Sequence, residues 1–267
     1  MAGTNNMYEP MYKELLREVL ESGTLQPVRD NNEAWSMFGK ALSFNCNTGL
    51  FPILTSKKMY WKNIKYELAW ILRGDTNVRY LNINGVTIWD MWADINGEIG
   101  DTYGKQLRSF NGIDQLKTIL NELRNFKYSR QLVISLWNPV AISQGNLKPC
   151  YFAWQFVVIG DTLNIAVTQR SADLFIGLPY DMGVFTLLLY LVAKEMNLMP
   201  GEVKITIGNA HIYKEHKEAV EKYLENPMYN LPQLHNGNDN GIINFNQSEV
   251  YLKSYKSCGF IPAKIIK

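Results

Sequence analysis

Hydrophobic positions along this 267-residue chain alternate between helical and strand-like periods. Tyr8, Met11, Leu15, Val19 and Leu20 recur every three or four residues, which predicts a helix that Gly23 stops. Trp35 to Cys46 reads as a strand, with Gly39 suggesting a bulge. Ile64, Leu68 and Ile71 share one face of a predicted helix over 60–73. The stretch 85–110 reads as loop-rich, and 113–125 as an amphipathic helix. Strands are predicted at 131–137, 151–159 and 162–169. A long apolar helix at 182–197 follows, then a strand at 203–208 and a polar helix at 213–225. The segment 227–246 is rich in Asn, Pro and Gly and reads as a surface connection. No repeat and no linker divides the chain, so the pattern predicts one domain over 1–267 with an α+β or mixed α/β fold.

Composition narrows the function classes. Net charge is +2, which gives no broad attraction to nucleic acid. A small anionic ligand held by a few placed arginines is the expectation instead. Cys46, Cys150 and Cys258 form no CxxC and no metal-ligand spacing, so no metal is expected, and an odd, sparse set fits a reducing compartment. The start carries no signal-peptide pattern. The longest apolar run, Met182 to Ala193, is shorter than the roughly 20 residues a membrane span needs. The expectation is a soluble cytoplasmic protein with no membrane partner.

A few residues carry candidate chemistry. Cys150, after Pro149, reads either as a small buried hydrophobe or as a nucleophile, and a reactive thiol needs a nearby cation or helix N-terminus to lower its pKa. None of the three histidines, His211, His216 and His235, lies near it in sequence. Arg170, beside Ser171 and Asp173, suits an oxyanion or phosphate, or a surface ion pair. Glu67 shares the apolar face of its helix. There a carboxyl group should have a raised pKa and could pass protons, unless it sits at the rim. Trp89 and Trp92 lie in an irregular stretch, where they could stack on a flat heterocycle or pack into the core.

The order and wording of these segments resemble thymidylate synthase from about Tyr8 to the C-terminus. The matching stretches are TSKK (55–58), ELAWILRGDTN (67–77), IWDMWAD (88–94), YGKQLR (103–108), the Pro149–Cys150 pair, QRSADLFIGLPYDM (169–182) and GNAHIY (208–213). The resemblance implies a single-domain α/β fold with a large mixed β-sheet and a sheet-to-sheet homodimer. It implies two small-molecule partners, a pyrimidine nucleoside monophosphate and the cosubstrate 5,10-methylenetetrahydrofolate. Cys150 attacks C6 of the pyrimidine, C5 takes the methylene carbon, and Glu67 organises proton transfer. Tyr103 lies close to the nucleophile. Arg29, Gln169, Arg170 and Ser171 bind the nucleotide, with Arg130 reaching across from the other subunit. His211 and Tyr213 hold the sugar. Asp173 serves nucleotide and folate. Ile88, Trp89, Trp92, Gly177, Tyr180 and Ala263 line the folate side, and Lys57 meets its glutamyl tail.

Departures from the family pattern bear on the substrate. The family's base-reading Asn is Asp181. Asn meets uracil's N3–H and O4 with one C=O and one NH₂, whereas a carboxyl group suits the N4 amino group and N3 of cytosine. Asp181 therefore points to dCMP, which relatives bearing Asp at this position hydroxymethylate for phage DNA precursors. The usual His after the nucleophile is Tyr151, a phosphate arginine is Gln131, an Asp is Asn209, and the C-terminus ends in Lys267. Tyr151 and the tail suggest a wetter site and a 5-hydroxymethyl product, whereas Trp89 and Leu147 favour a shielded one. The alternatives are 5-methyl-dCMP and methylation of dUMP. The expected compartment is the cytoplasm, of the host if the gene is a phage's.

Overall fold

The periodic segments become helices and strands in the computed structural model, which describes residues 5–144 and 147–266. The first part contains α1 (Glu9–Ser22), β1 (Thr24–Pro27), β2 (Glu33–Asn45), α2 (Trp61–Arg73) and α3 (Arg79–Ile83). Next come α4 (Tyr103–Ser109), α5 (Gln115–Asn125), β3 (Val133–Ser135) and α6 (Pro139–Gln144). The remainder comprises β4 (Tyr151–Ile159), β5 (Thr162–Asp173), α7 (Gly177–Glu195), β6 (Met199–Tyr213), α8 (Lys217–Glu225), β7 (Gln233–Asn236) and β8 (Val250–Lys253).

Six strands make one mixed sheet in the order β1-β2-β6-β5-β4-β3. β5 and β6 are parallel and joined through α7; the other pairs are antiparallel. Alternation decides which face is core. Trp154, Phe156 and Val158 on β4 and Leu163, Ile165 and Val167 on β5 are buried. The intervening Gln155, Val157, Asn164, Ala166 and Thr168 stay half-buried on the opposite face. α7 is apolar nearly all round and buried along its length, as a central helix must be. α2 lies against α7 at close range. A Cβ on Gly183 would stand 2.7 Å from Ile64 Cδ1, so glycine permits that approach. Among the described residues, no helix is long and apolar enough to cross a membrane.

Some boundaries differ from the periodic reading, each for a physical reason. β1 is exposed throughout and has no alternation to detect. α4 lies within the stretch expected to be loop-rich. α7 begins at Gly177 rather than 182, because Gly177 and Pro179 look like breakers but occupy a first turn, where a missing N–H costs little. β6 runs from 199 to 213, so its polar end, Asn209 to Tyr213, is strand, and α8 starts only at Lys217. β7 lies inside the expected surface connection and pairs with β8 beyond it. Gly39 has a positive φ of 70° but makes no bulge. The register is the same on both sides of it, with Phe38 opposite Asn209 and Lys40 opposite Ile207.

Candidate active site

Cys150 lies at the step into β4, where the ladder to β5 shifts register between Tyr151 and Ala153. A bulge at such a point re-aims side chains. It turns Tyr151 into the core while Cys150 stays partly accessible. The Cys150 backbone N–H donates to Tyr103 Oη at 2.9 Å, and its carbonyl accepts from the Arg170 N–H at 2.8 Å. Arg170 is held by Nε to the Pro149 carbonyl and Nη2 to the Lys148 carbonyl, both at 2.9 Å. That places Nη2 3.9 Å from Cys150 Sγ. Behind it, a Cβ on Gly208 would meet the Arg170 carbonyl at 2.9 Å, so this strand pairing needs glycine. The cation expected beside the thiol is therefore present. Burial nonetheless outweighs it, and the Cys150 thiol rests above its ordinary pKa despite the guanidinium.

Two carboxyl groups face the same corner. Glu67, on α2, is buried, and accepts from Trp89 Nε1 at 3.1 Å. Burial, with the nearby Asp181 charge, pushes its pKa up to about 8. Asp181, the fifth residue of α7, accepts from Gln169 Nε2 at 2.8 Å. Burial raises it to about 7, against the pull of Gln169. Near neutrality both groups can hold or release a proton, as acid–base chemistry on a bound base requires.

An aromatic wall closes this corner. Trp89 lies with ring centroids 5.4 Å from Tyr103 and 5.4 Å from Trp92. Tyr103 is 4.6 Å from Tyr151, which packs edge-on to Phe185 at 5.0 Å. Tyr103 opens α4 with a φ of 28°, a strained value for a tyrosine, and its hydroxyl is fixed by the Cys150 N–H. Tyr151 is buried. Its hydroxyl lies in the electrostatic reach of Tyr103, Glu67, Asp181 and Cys150. That hydroxyl and Gln169 Oε1 are buried with no hydrogen-bond partner among the described residues.

The strand end β5–β6 supplies the next group. Ser171 Oγ lies 3.4 Å from His211 Nδ1, which is 3.1 Å from Asn209 Oδ1. Burial keeps His211 below its ordinary pKa. Asp173 Oδ1 accepts from the Phe175 and Ile176 N–H groups at 2.9 and 3.3 Å, an Asx turn leading into α7. Burial alone would raise Asp173, but His216 and His211 hold it below the ordinary carboxylate range. Tyr213 is half-buried and within electrostatic reach of Arg29.

Not every expected site residue joins this cluster. Lys57 is buried, its ammonium donating to the Phe175 carbonyl and lying 3.9 Å from the centre of that ring. Burial lowers it to about 7. Its ammonium points inward, towards Phe175. Arg29 and Arg130 are exposed, the latter in the turn before β3. Ile88, Gly177, Tyr180 and Ala263 are half-buried, with Tyr180 bonded towards Tyr60 and Asn63. Lys267 lies outside the described residues. Sequence reasoning passed over His216, fully buried beside Asp173, because nothing in its spacing to His211 signals a role.

A thiol before a strand bulge, a guanidinium beside it and two carboxyl groups with raised pKa under an aromatic wall make a site suited to a flat anionic substrate. A profile of the thymidylate synthase family matches residues 10–267. Over 273 residues the chain is 37% identical to the thymidylate synthase of Mycoplasma pneumoniae (strain ATCC 29342 / M129), covering 91% of this chain and 95% of that protein. The thymidylate synthases of Coxiella burnetii strains Dugway and RSA 331 are each 40% identical over 245 residues, covering 90% of both chains. The chain belongs to the thymidylate synthase family. Membership fixes the reaction class as a folate-dependent one-carbon transfer to C5 of a pyrimidine nucleotide, with 5,10-methylenetetrahydrofolate as cosubstrate.

Proposed function

We propose that this enzyme transfers the methylene carbon of 5,10-methylenetetrahydrofolate to C5 of dCMP and releases 5-hydroxymethyl-dCMP. The observation that carries the base assignment is Asp181, oriented by Gln169 where the family reads uracil with an Asn amide. An ionised Asp181 accepts from the cytosine N4 amino group but opposes uracil O4. A protonated one donates to cytosine N3 and accepts from N4.

In this reading Cys150 Sγ loses its proton and bonds C6, and the C5=C6 electrons attack the methylene carbon. Glu67 relays protons at the base and the folate, and loss of the C5 proton expels tetrahydrofolate. Water then adds to the exocyclic methylene and gives up a proton, while Sγ leaves C6 with its electron pair. The two unpartnered buried atoms, Tyr151 Oη and Gln169 Oε1, favour ordered water at this corner. Arg170 and Ser171 take the phosphate, with Arg29. His211 and Tyr213 take the sugar, and Trp89, Trp92, Tyr180 and Asp173 take the folate. Arg130 completes the phosphate site of a second copy in a homodimer formed through the half-buried outer sheet face. The whole chain acts as one domain, in the cytoplasm.

A second reading has specific support. The relatives at 37–40% identity carry the name thymidylate synthase, which speaks for dUMP as substrate and a methyl product. A protonated Asp181 also pairs with uracil, donating to O4 and accepting from N3. One experiment separates the readings: incubate the enzyme with dCMP, dUMP or CMP and the folate, and weigh the products. A mass gain of a hydroxymethyl group on dCMP supports the first reading. Conversion of dUMP alone to dTMP overturns it.

A further inference from the structure

We propose that His216 is a positioning residue that straps the C-terminal segment to Asp173, and so sets the folate side of the site. The inference rests on the reading of Asp173 and Ala263 as folate contacts. His216 closes the short turn Lys214–His216 between β6 and α8 and is fully buried. Its Nε2 lies 2.7 Å from the Lys264 carbonyl. A carbonyl oxygen only accepts, so Nε2 carries a proton. The other ring nitrogen, Nδ1, lies 3.7 Å from Asp173 Oδ1 and has no hydrogen-bond partner among the described residues.

A neutral imidazole has one N–H, and Lys264 has claimed it. Nδ1 would then turn a lone pair towards a carboxylate, a repulsive arrangement. Only the imidazolium offers a second N–H in that direction. The surroundings agree with this. Burial alone would lower His216 and the Lys57 ammonium opposes a second charge, yet Asp173 and the Lys264 carbonyl hold its pKa above the ordinary value. The ring thus links Asp173 at one end to the C-terminal segment, through Lys264, at the other.

Few other bonds hold that segment. Backbone bonds tie it at Cys258 to the Thr55 carbonyl (2.8 Å) and at the Gly259 carbonyl to the Lys58 N–H (3.1 Å). Beyond Gly259, the bond from His216 to Lys264 is the hydrogen bond that fixes residues 260–266 among the described residues. Ile261 and Ile266 are buried, but apolar contact alone does not set register. Ala263 adjoins the strapped carbonyl, so the strap decides where Ala263 stands.

Amide hydrogen exchange of the free enzyme tests this together with steady-state kinetics. His216→Phe keeps an aromatic ring and removes both N–H groups. Exchange at 260–266 should rise at least tenfold while β4–β6 stay protected. The KM for the folate should rise at least fivefold, with kcat and nucleotide binding changed less. His216→Gln restores one donor towards Lys264 and should recover most of the protection at 260–266. Unchanged exchange at 260–266 in His216→Phe overturns the strap. So does a loss of protection throughout the sheet that His216→Gln does not repair, which marks a core residue only. The exchange measurement stands even if Asp173 and Ala263 do not touch the folate, so failure of that reading and failure of the strap are distinguishable.

Discussion

Gln169 Nε2 donates to Asp181 Oδ2 at 2.8 Å, so the carboxyl group proposed to read the base is aimed by a residue on a different element. Asp181 comes from the N-terminal part of α7 and Gln169 from the second half of β5. Asp181→Asn should move preference towards dUMP. Correcting or creating one buried polar mismatch is worth about 1–3 kcal/mol, so the dCMP/dUMP ratio of kcat/KM should fall by about fivefold to 150-fold. Competition assays with both nucleotides measure it. An unchanged ratio, or wild-type preference for dUMP, removes the cytosine assignment.

Cys150→Ser should abolish turnover and leave nucleotide binding nearly intact. Neither other cysteine can substitute. Cys46 is buried, with its thiol driven up to about 12, and Cys258 bonds to the Pro227 carbonyl away from Arg170. Mass spectrometry with a 5-fluoropyrimidine nucleotide should show a covalent adduct on the wild type and none on the variant. Normal turnover by Cys150→Ser would falsify the mechanism.

Glu67 sets a pH signature of stability. Its folded pKa of about 8 lies above the ordinary carboxyl value of 4.5 because of burial and the Asp181 charge. The folded state therefore binds the proton more tightly than the unfolded chain. The associated stability is fully present below about pH 4.5 and is lost as pH rises through about 8. Glu67→Gln removes this dependence. Urea unfolding at pH 5 and pH 8 should show the wild type losing more stability than the variant over that interval. Parallel losses would mean that Glu67 is not held protonated.

Tyr151→Phe deletes a buried hydroxyl that has no partner among the described residues. Thermal unfolding of the free enzyme should show a variant as stable as the wild type or more so, by about 1 kcal/mol. The fraction of hydroxymethyl product should fall relative to methyl product if the hydroxyl helps hold the attacking water. A destabilised variant with an unaltered product ratio would show that the hydroxyl serves packing alone.

If Arg130 acts across a homodimer, subunits carrying Arg130→Ala and subunits carrying Cys150→Ser should complement. Each pure variant is expected to be inactive. Mixed and re-equilibrated, they form hybrids with one intact site, so up to about a quarter of wild-type activity should return, from statistical pairing of two equal pools. Sedimentation should give twice the chain mass at micromolar concentration. A fully active monomer excludes the arrangement.

Much of this was legible in the sequence where a residue's surroundings are local. Glu67 at helical spacing from Ile64 and Ile71 announced a buried carboxyl group, and it is one. The strands expected at 151–159 and 162–169 are β4 and most of β5. What could not be read depends on contacts distant in sequence. Lys57 turns inward because the Phe175 carbonyl and ring, more than a hundred residues on, receive its ammonium. Tyr151 turns into the core because a bulge shifts the ladder beside it, and no periodicity marks a bulge. The guanidinium beside Cys150 was foreseeable, but its loss to burial in setting the thiol's pKa was not, since that balance needs the solvent exposure of both groups.

The contact of Gly183 with Ile64 makes the width of the catalytic corner a property of a single hydrogen atom. Glu67 is one turn from Ile64 on α2, and Asp181 is two residues from Gly183 on α7. The spacing between the proton-handling group and the base-reading group is thus gauged by how closely two helices touch at a point that meets neither ligand. Replacing that hydrogen with a methyl group would act as a shim between the helices. Adjustment of this kind can alter which ring the corner accepts while every residue in it keeps its identity.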